Sequence, residues 1–237
     1  MHHSVGIIGV TGRLGRHICD LTAEMECRIT LLVSRREWIH ECTPEVVIDV
    51  SHHSAVMEVA RYCYSEGVPL VEGVSSLSPE HLGELHRLSQ TVPVVYAPNF
   101  AFGHFLQRSA LLRLAEILKN NRQAWECSIV ERHPIYKPDR PSATARELAS
   151  CWSEATDHPV ADVASVRSGL PVSDHEVALT LAGEMVSIKH SVADRKAAAH
   201  GALMAARWIV CQQPGFYKMS DVYALRNEIH SRSNNPK

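Results

Sequence analysis

Neither sign of charge dominates this chain of 237 residues: 24 lysines and arginines stand against 26 acidic residues, a formal net charge of −2. That balance excludes the electrostatic footprint of a nucleic-acid binder or of a protein held to anionic lipid. Long apolar runs are missing as well, and none approaches the roughly 18 residues of a membrane span. The opening MHHSVGIIGV lacks the length and the cleavage-site pattern of a secretory leader. The seven cysteines are odd in number, scattered, and never spaced C-x-x-C. Reduced thiols are therefore expected, rather than a disulfide framework or a zinc knot. Fifteen histidines invite a metal reading, yet His52 and His53 are adjacent and His81 and His86 are five apart. Neither pair shares a helix face, and no metal is expected. What remains is a soluble, cytoplasmic chain with 45% hydrophobic and 21% charged residues, enough for one large or two small domains.

Strand and helix signals alternate through the first hundred or so residues. SVGIIGV, RITLLVS, EVVIDVS, VPLVEGVS and VPVVYAPN read as strands. The stretches between most of them, such as GRHICDLTAEM and AVMEVARYCYSEG, read as helices. Such alternation predicts a parallel sheet covered on both faces. It stops near Asn99–Gly103. Beyond lies a long amphipathic helix, then the strand AWECSIVER. ADVASVRSGL, SDHEVALTLAG and EMVSIKHSVAD read as successive antiparallel strands, and an Ala-rich helix follows. The fold class expected is α/β: an N-terminal Rossmann-type parallel sheet plus an α+β domain with a mixed or antiparallel sheet.

Gly9, Gly12 and Gly15 fall between the first strand and the first helix as G-x-x-G-x-x-G. Glycines there allow a tight turn and close approach of backbone to a pyrophosphate, whose charge meets the helix N-terminus. About twenty residues on, where an NAD enzyme carries an acid for the ribose hydroxyls, the chain reads Ser34-Arg35-Arg36. A hydroxyl and two guanidiniums suit a 2′-phosphate, so NADPH is preferred, with NADH the alternative.

SIVERHPIYKPDRPSATARE, residues 128–147, crowds His133, Lys137, Ser142 and Thr144 behind an apolar strand. Thr144 and Glu147 have capping-box spacing, with Thr144 as the expected cap of a new helix. The start of such a helix is an anion site.

Taken together, these stretches resemble the dihydrodipicolinate reductase family nearly end to end. VGIIGVTGRLGRHI matches the family's opening glycine loop, and VVIDVSHHSA the strand and turn beneath the cofactor. VPLVEGVSS is similar to V-P-x-V-x-G-T-T-G, and APNFAFG to the family's hinge. VRSGLPVSDHEV and QPGFYKMSDV match later elements. The resemblance implies a Rossmann domain over residues 1–101, to which 208–237 return. It also implies a substrate-binding and oligomerisation domain over 102–207, in a homotetramer or homodimer. Cofactor contacts implied are Gly9, Thr11, Gly12, Arg13, Leu14, Gly15, Ser34, Arg35, Arg36, Val50, Ser51, Gly73, Val74, Ser75, Ala97, Asn99 and Phe100.

By the same resemblance, nicotinamide hydride reduces the conjugated imine of a small cyclic dicarboxylate. Lys137, aided by His133, supplies the proton, while Ser142, Ala143, Thr144 and the helix N-terminus hold a carboxylate. The loop departs from the family pattern at Pro134, Ile135, Tyr136 and Ala143, and the hinge serine is Ala101. Gly73-Val74-Ser75-Ser76 stands for G-T-T-G, and only ten residues separate LLVS from EVVID. Two alternatives therefore stand beside the lysine-pathway reductase: reduction of a less charged cyclic imine in specialised metabolism, and nucleotide binding without catalysis. His175 is expected to be a satisfied core or interface histidine.

Overall fold

The computed structural model describes residues 3–75, 77–121, 124–169 and 172–224. Ser76, Leu170, Pro171 and residues 225–237, named in the expectations above, lie outside them.

The first unit is built from β1 (His3–Ile8), α1 (Arg13–Thr22), β2 (Cys27–Val33), β3 (Trp38–His40), β4 (Val46–Asp49), α2 (Val56–Glu66), β5 (Leu70–Glu72), α3 (Pro79–Leu88) and β6 (Pro93–Tyr96). The long helix α4 (Phe102–Lys119) opens the second unit, followed by β7 (Glu126–His133), α5 (Ala143–Thr156), β8 (Asp162–Arg167), β9 (Ser173–Leu181) and β10 (Glu184–Val192). The chain then rejoins the first unit through α6 (Lys196–Ile209), β11 (Gly215–Tyr217) and α7 (Met219–Ala224).

Seven strands form the first sheet in the order β11-β6-β5-β4-β1-β2-β3, parallel except for β3. Its central strands β1, β4 and β5 are apolar runs buried on both faces, as sheets flanked by helices require. The ten residues between LLVS and EVVID turn back as the antiparallel edge strand β3, with Trp38 packed on Tyr62 at 5.7 Å. Ser78 caps α3 reciprocally with His81, and Pro79 occupies its first turn.

The return to the first unit begins at Lys196 rather than at residue 208. Ala199, Ala202, Leu203, Ala205, Ala206 and Ile209 are fully buried along α6, and their small side chains let the helix lie close against α1 and the sheet.

In the second unit the sheet order is β10-β9-β7-β8. The expectation of three successive antiparallel strands holds for β9 and β10 but not for β8. That strand pairs parallel with β7 at the sheet edge, because α5 is interposed as a crossover. One face of this sheet packs on α4 and α5 around Leu111, Ile129, Leu148, Trp152 and Val177.

Candidate active site

Each loop read as a cofactor contact leaves the carboxyl end of a parallel strand: 9–15 after β1, 34–36 after β2, 50–51 after β4, 73–75 after β5, and 97–100 after β6. Open α/β sheets bind ligands at that edge. A cavity of about 750 Å³ opens there, lined by Gly9, Thr11, Gly12, Ser34, Arg35, Val50 and Ser51 among others. Gly9 has φ +90°, and a Cβ on it would lie 2.8 Å from the Cα of Ser51. A Cβ on Gly15 would meet the Gly9 carbonyl oxygen at 2.2 Å, so only glycine lets α1 pack under its own entry loop. Gly12 caps α1 with no side-chain hydrogen bond, and no acid stands in the first turn. Its N-terminal amides thus suit a pyrophosphate.

The turn after β2 is closed by Ser34 N–H donating to the Glu37 carbonyl at 2.9 Å and Arg36 N–H to Ser34 Oγ at 3.2 Å. Arg35 lines the cavity; Arg36 is not among its lining residues. Thr11, Arg13 and Ser75 are exposed, and Leu14 is half-buried. Val74, Ala97 and Phe100 are buried instead, and the Phe100 ring fills the space beside Gly73. The Asn99 side chain accepts the Ala101 N–H at 3.0 Å. Trp38, His52, Ser54 and Glu58 also line the cavity. Of these, His52 and Ser54 fall within VVIDVSHHSA, the turn that the resemblance set beneath the cofactor; Trp38 and Glu58 lie outside every stretch singled out for the cofactor from the sequence.

In the second unit the register of β7, β9 and β10 sets Glu131 opposite His175, and His175 opposite His190. Side-chain alternation puts Glu131 and His133 on the face that carries Cys127 and Ile129 into the core. Glu131 is fully buried. One of its oxygens takes the Arg167 guanidinium at 2.8 Å, and the other meets His133 Nδ1. Burial alone would raise the Glu131 pKa, but the Arg167 guanidinium and His133 beside it hold it below the usual value. Burial lowers the His133 pKa, helped by the cations of Lys137 and Arg167 and opposed by Glu131. Neutral His133 therefore donates from Nδ1 and keeps a lone pair at Nε2.

The His175 ring meets that of His133 edge-on at 5.1 Å, and its Nε2 lies 3.1 Å from Ser142 Oγ. Burial pushes the His175 pKa down to about 3, so the ring is neutral and accepts the Ser142 hydroxyl. Ser142 Oγ in turn accepts the Ala145 N–H at 3.2 Å. Ser142, not Thr144, is thus the cap of α5, and Glu147 turns away to His104 and Arg108. The physical reason is position: Ser142 has the extended backbone a cap needs, while Thr144 is already helical. His175 is buried, as a core histidine would be, but its partner is the serine of the expected substrate seat. Period-two patterning placed it on the inner face; its neighbours depend on register.

Lys137 stands on the 134–141 loop, about one-third exposed, with Nζ 2.7 Å from Asp139. Arg167 anchors this loop, donating to the Lys137 carbonyl at 3.2 Å and to that of Asp139. Sequence reasoning missed its role; the only signal was the R-x-G spacing before His175. Glu131, His133 and His175 offer ligand atoms within 4.8 Å of one another, a metal-like spacing. Because a guanidinium already neutralises Glu131, that donor set suits a hydrogen-bonded chain better than a dication.

Two family models match the chain: Dihydrodipicolinate reductase, N-terminus, over residues 3–100, and Dihydrodipicolinate reductase, C-terminus, over residues 103–223. The chain belongs to the dihydrodipicolinate reductase family. Its members are nicotinamide-dependent oxidoreductases that act on a small molecule and are generally oligomeric, and this chain is an oxidoreductase of that type. It is 34% identical to the 4-hydroxy-tetrahydrodipicolinate reductase of Thermosipho africanus over 92% of its own length and 96% of the relative's. Identity to the reductase of the same name from Xanthomonas campestris is 33%, covering 91% of this chain and 95% of the other. The fold is shared with a dipicolinate-bound dihydrodipicolinate reductase from Paenisporosarcina sp. TG-14, at TM-score 0.76 and 18% identity, covering 94% of this chain and 100% of that one. No helix among the described residues is long and apolar enough to cross a membrane.

Proposed function

We propose that this family member uses NADPH to reduce the conjugated imine of a cyclic dicarboxylate, the 4-hydroxy-tetrahydrodipicolinate or dihydrodipicolinate of the diaminopimelate route to lysine. The observation carrying this reading is the joined set Glu131–His133 and His175–Ser142 at the start of α5, on the same unit as Lys137. Ser142, Thr144 and the α5 amides, in a first turn without acids, hold a substrate carboxylate. Glu131 orients His133, and Lys137, held ready by Asp139 and open to solvent, delivers the proton that completes reduction of the C=N bond. The bound nicotinamide supplies the hydride. Ser34 and Arg35 at the groove favour a 2′-phosphate and hence NADPH over NADH.

The test follows NADPH oxidation with substrate generated in situ from pyruvate and aspartate semialdehyde. An efficiency above about 10⁴ M⁻¹s⁻¹ supports the assignment. A second reading has its own observation: Ile135 and Tyr136 are 81% and 65% exposed beside Lys137, an apolar border where the family pattern has charge. Tight NADPH binding with turnover of less charged cyclic imines alone would favour it. Binding with no turnover of any imine would leave nucleotide binding without catalysis. The open face of the second sheet, with Val130 and Met185 exposed, is proposed as the surface joining a homotetramer or homodimer. The seven free cysteines suit a reducing cytoplasm.

A further inference from the structure

Two carboxylates in the first unit have no part in the chemistry above. Asp49 ends β4 and Glu72 ends β5; the strands are parallel neighbours, and the register sets these residues side by side. Alternation aims both toward the α2 and α3 side of the sheet, above Val47 and Leu70. Both are fully buried. One oxygen of each closes the turn that follows: Asp49 Oδ1 accepts the Ser51 N–H at 2.8 Å, and Glu72 Oε1 accepts the Val74 N–H at 2.7 Å. The other oxygens, Asp49 Oδ2 and Glu72 Oε2, are buried without a partner, and neither residue makes an ion pair among the described residues.

Among the described residues no cation acts on either acid. From α2 comes Cys63, whose thiol is pushed up by burial and then by the two carboxylates. The β6 neighbour of Glu72 is Tyr96, and α3 contributes Leu85 and Leu88. Two ionised carboxylates stripped of water and set side by side repel each other and lack solvation. A single proton between the unpartnered oxygens relieves both costs.

We propose that Asp49 and Glu72 hold one proton in common, and that this proton ties together the two turns, 50–51 and 73–75, beneath the cofactor groove. Burial drives both groups the same way: Asp49 is raised to about 6, and Glu72 is raised well above its ordinary value by burial and by Asp49. Val50 and Ser51 line the groove, and the Gly73 N–H donates to the Asp49 carbonyl at 2.8 Å, joining the second turn to the first. The pair therefore positions the site without touching substrate. The proposal rests on the reading of that groove as the dinucleotide site. Once the proton is lost, two like charges lie under turns that receive an anionic cofactor, and affinity falls. The pair titrates as a unit.

The first measurement is made on the cofactor-free protein. Infrared spectroscopy at pH 7 should show the C=O stretch of a buried protonated carboxyl, removed by Glu72→Gln and shifted in frequency, but kept, by Asp49→Asn; absence of that band from the parent overturns the proposal. Carboxylates with raised native pKa values contribute stability that is complete below about pH 4 and is lost as pH rises through the native values. The parent's thermal midpoint should then fall between pH 6 and pH 9 by on the order of 5 °C more than that of Glu72→Gln. Parallel profiles refute the shared proton. Over the same range the Kd for NADPH, read by its fluorescence, should weaken about tenfold in the parent, as one pKa unit of linkage requires, and stay level in Glu72→Gln. Failure of the cofactor reading looks different: NADPH binds at no pH while the infrared band persists.

Discussion

Replacing Arg167 with methionine tests the architecture of the second unit. The Arg167 side chain is 1% exposed and its guanidinium lies 2.8 Å from the fully buried Glu131. It also donates to the carbonyls of Lys137 and Asp139. Methionine preserves most of the apolar volume and removes every one of these contacts. Stripping one partner from a buried ion pair costs about 3–5 kcal/mol, because the other charge is left uncompensated. The lost loop contacts add about 1–3 kcal/mol more, though not additively. For a chain of this size each kcal/mol moves the thermal midpoint by about 2–4 °C, so a fall of about 10–20 °C is expected by circular dichroism. Glu131→Gln together with Arg167→Met removes the orphaned charge, and the double variant should regain at least about 2 kcal/mol over Arg167→Met alone. NADPH affinity should hardly change, since the groove is built by the other unit. An Arg167→Met protein within about 1 kcal/mol of the parent, or a double variant no more stable than the single, would show that this ion pair does not hold the loop.

Lys137→Ala should lower kcat by about 10²–10⁴-fold while the Kd for NADPH stays within about twofold; turnover near the parental rate would remove Lys137 from the proton-donating role. Arg35→Ala should weaken NADPH binding by about 10–100-fold, as loss of a charge-assisted phosphate contact does, and leave NADH affinity unchanged. Equal losses for both cofactors would mean that Arg35 meets no 2′-phosphate. His175, with its pKa pushed down to about 3 by burial, gives stability that is complete above about pH 6.5 and is lost as pH falls toward 3. The unfolding midpoint of the parent should therefore drop between pH 7 and pH 4 more steeply than that of His175→Gln. Asp49 pulls the opposite way in both proteins, so the difference between the two slopes is the quantity to read, and equal slopes refute the assignment.

Much of this molecule is legible in its residues because the physics involved is local. The spacing of Gly9, Gly12 and Gly15 behind an apolar run calls for one turn between a strand and a helix, whatever surrounds it. The unbroken apolar runs EVVID and VPLV announce a sheet covered on both faces, and Ser34-Arg35 carries its preference for phosphate in its functional groups. Serine and threonine both appear at the start of α5, so a helix was foreseeable there. Which of them caps it depended on where the chain leaves its extended path after Pro141, and that choice fell to Ser142.

Other features exist only between distant segments. β8 pairs parallel with β7 because α5 carries the chain across first, which no period-two pattern reveals. The neighbours of His175 are decided by a strand register 44 residues away in sequence, from Glu131 to His175. Arg167 reads as an ordinary strand end until folding buries it against Glu131. Asp49 and Glu72 look like two unrelated acids until β4 and β5 align, and pairing then removes their water and leaves each with the other's charge. The sequence by itself determined most of the elements, the glycine-rich turn after β1 and the chemical groups at hand, since those follow from covalent neighbours. Tertiary structure alone decided which charges meet, because burial and proximity belong to the folded chain.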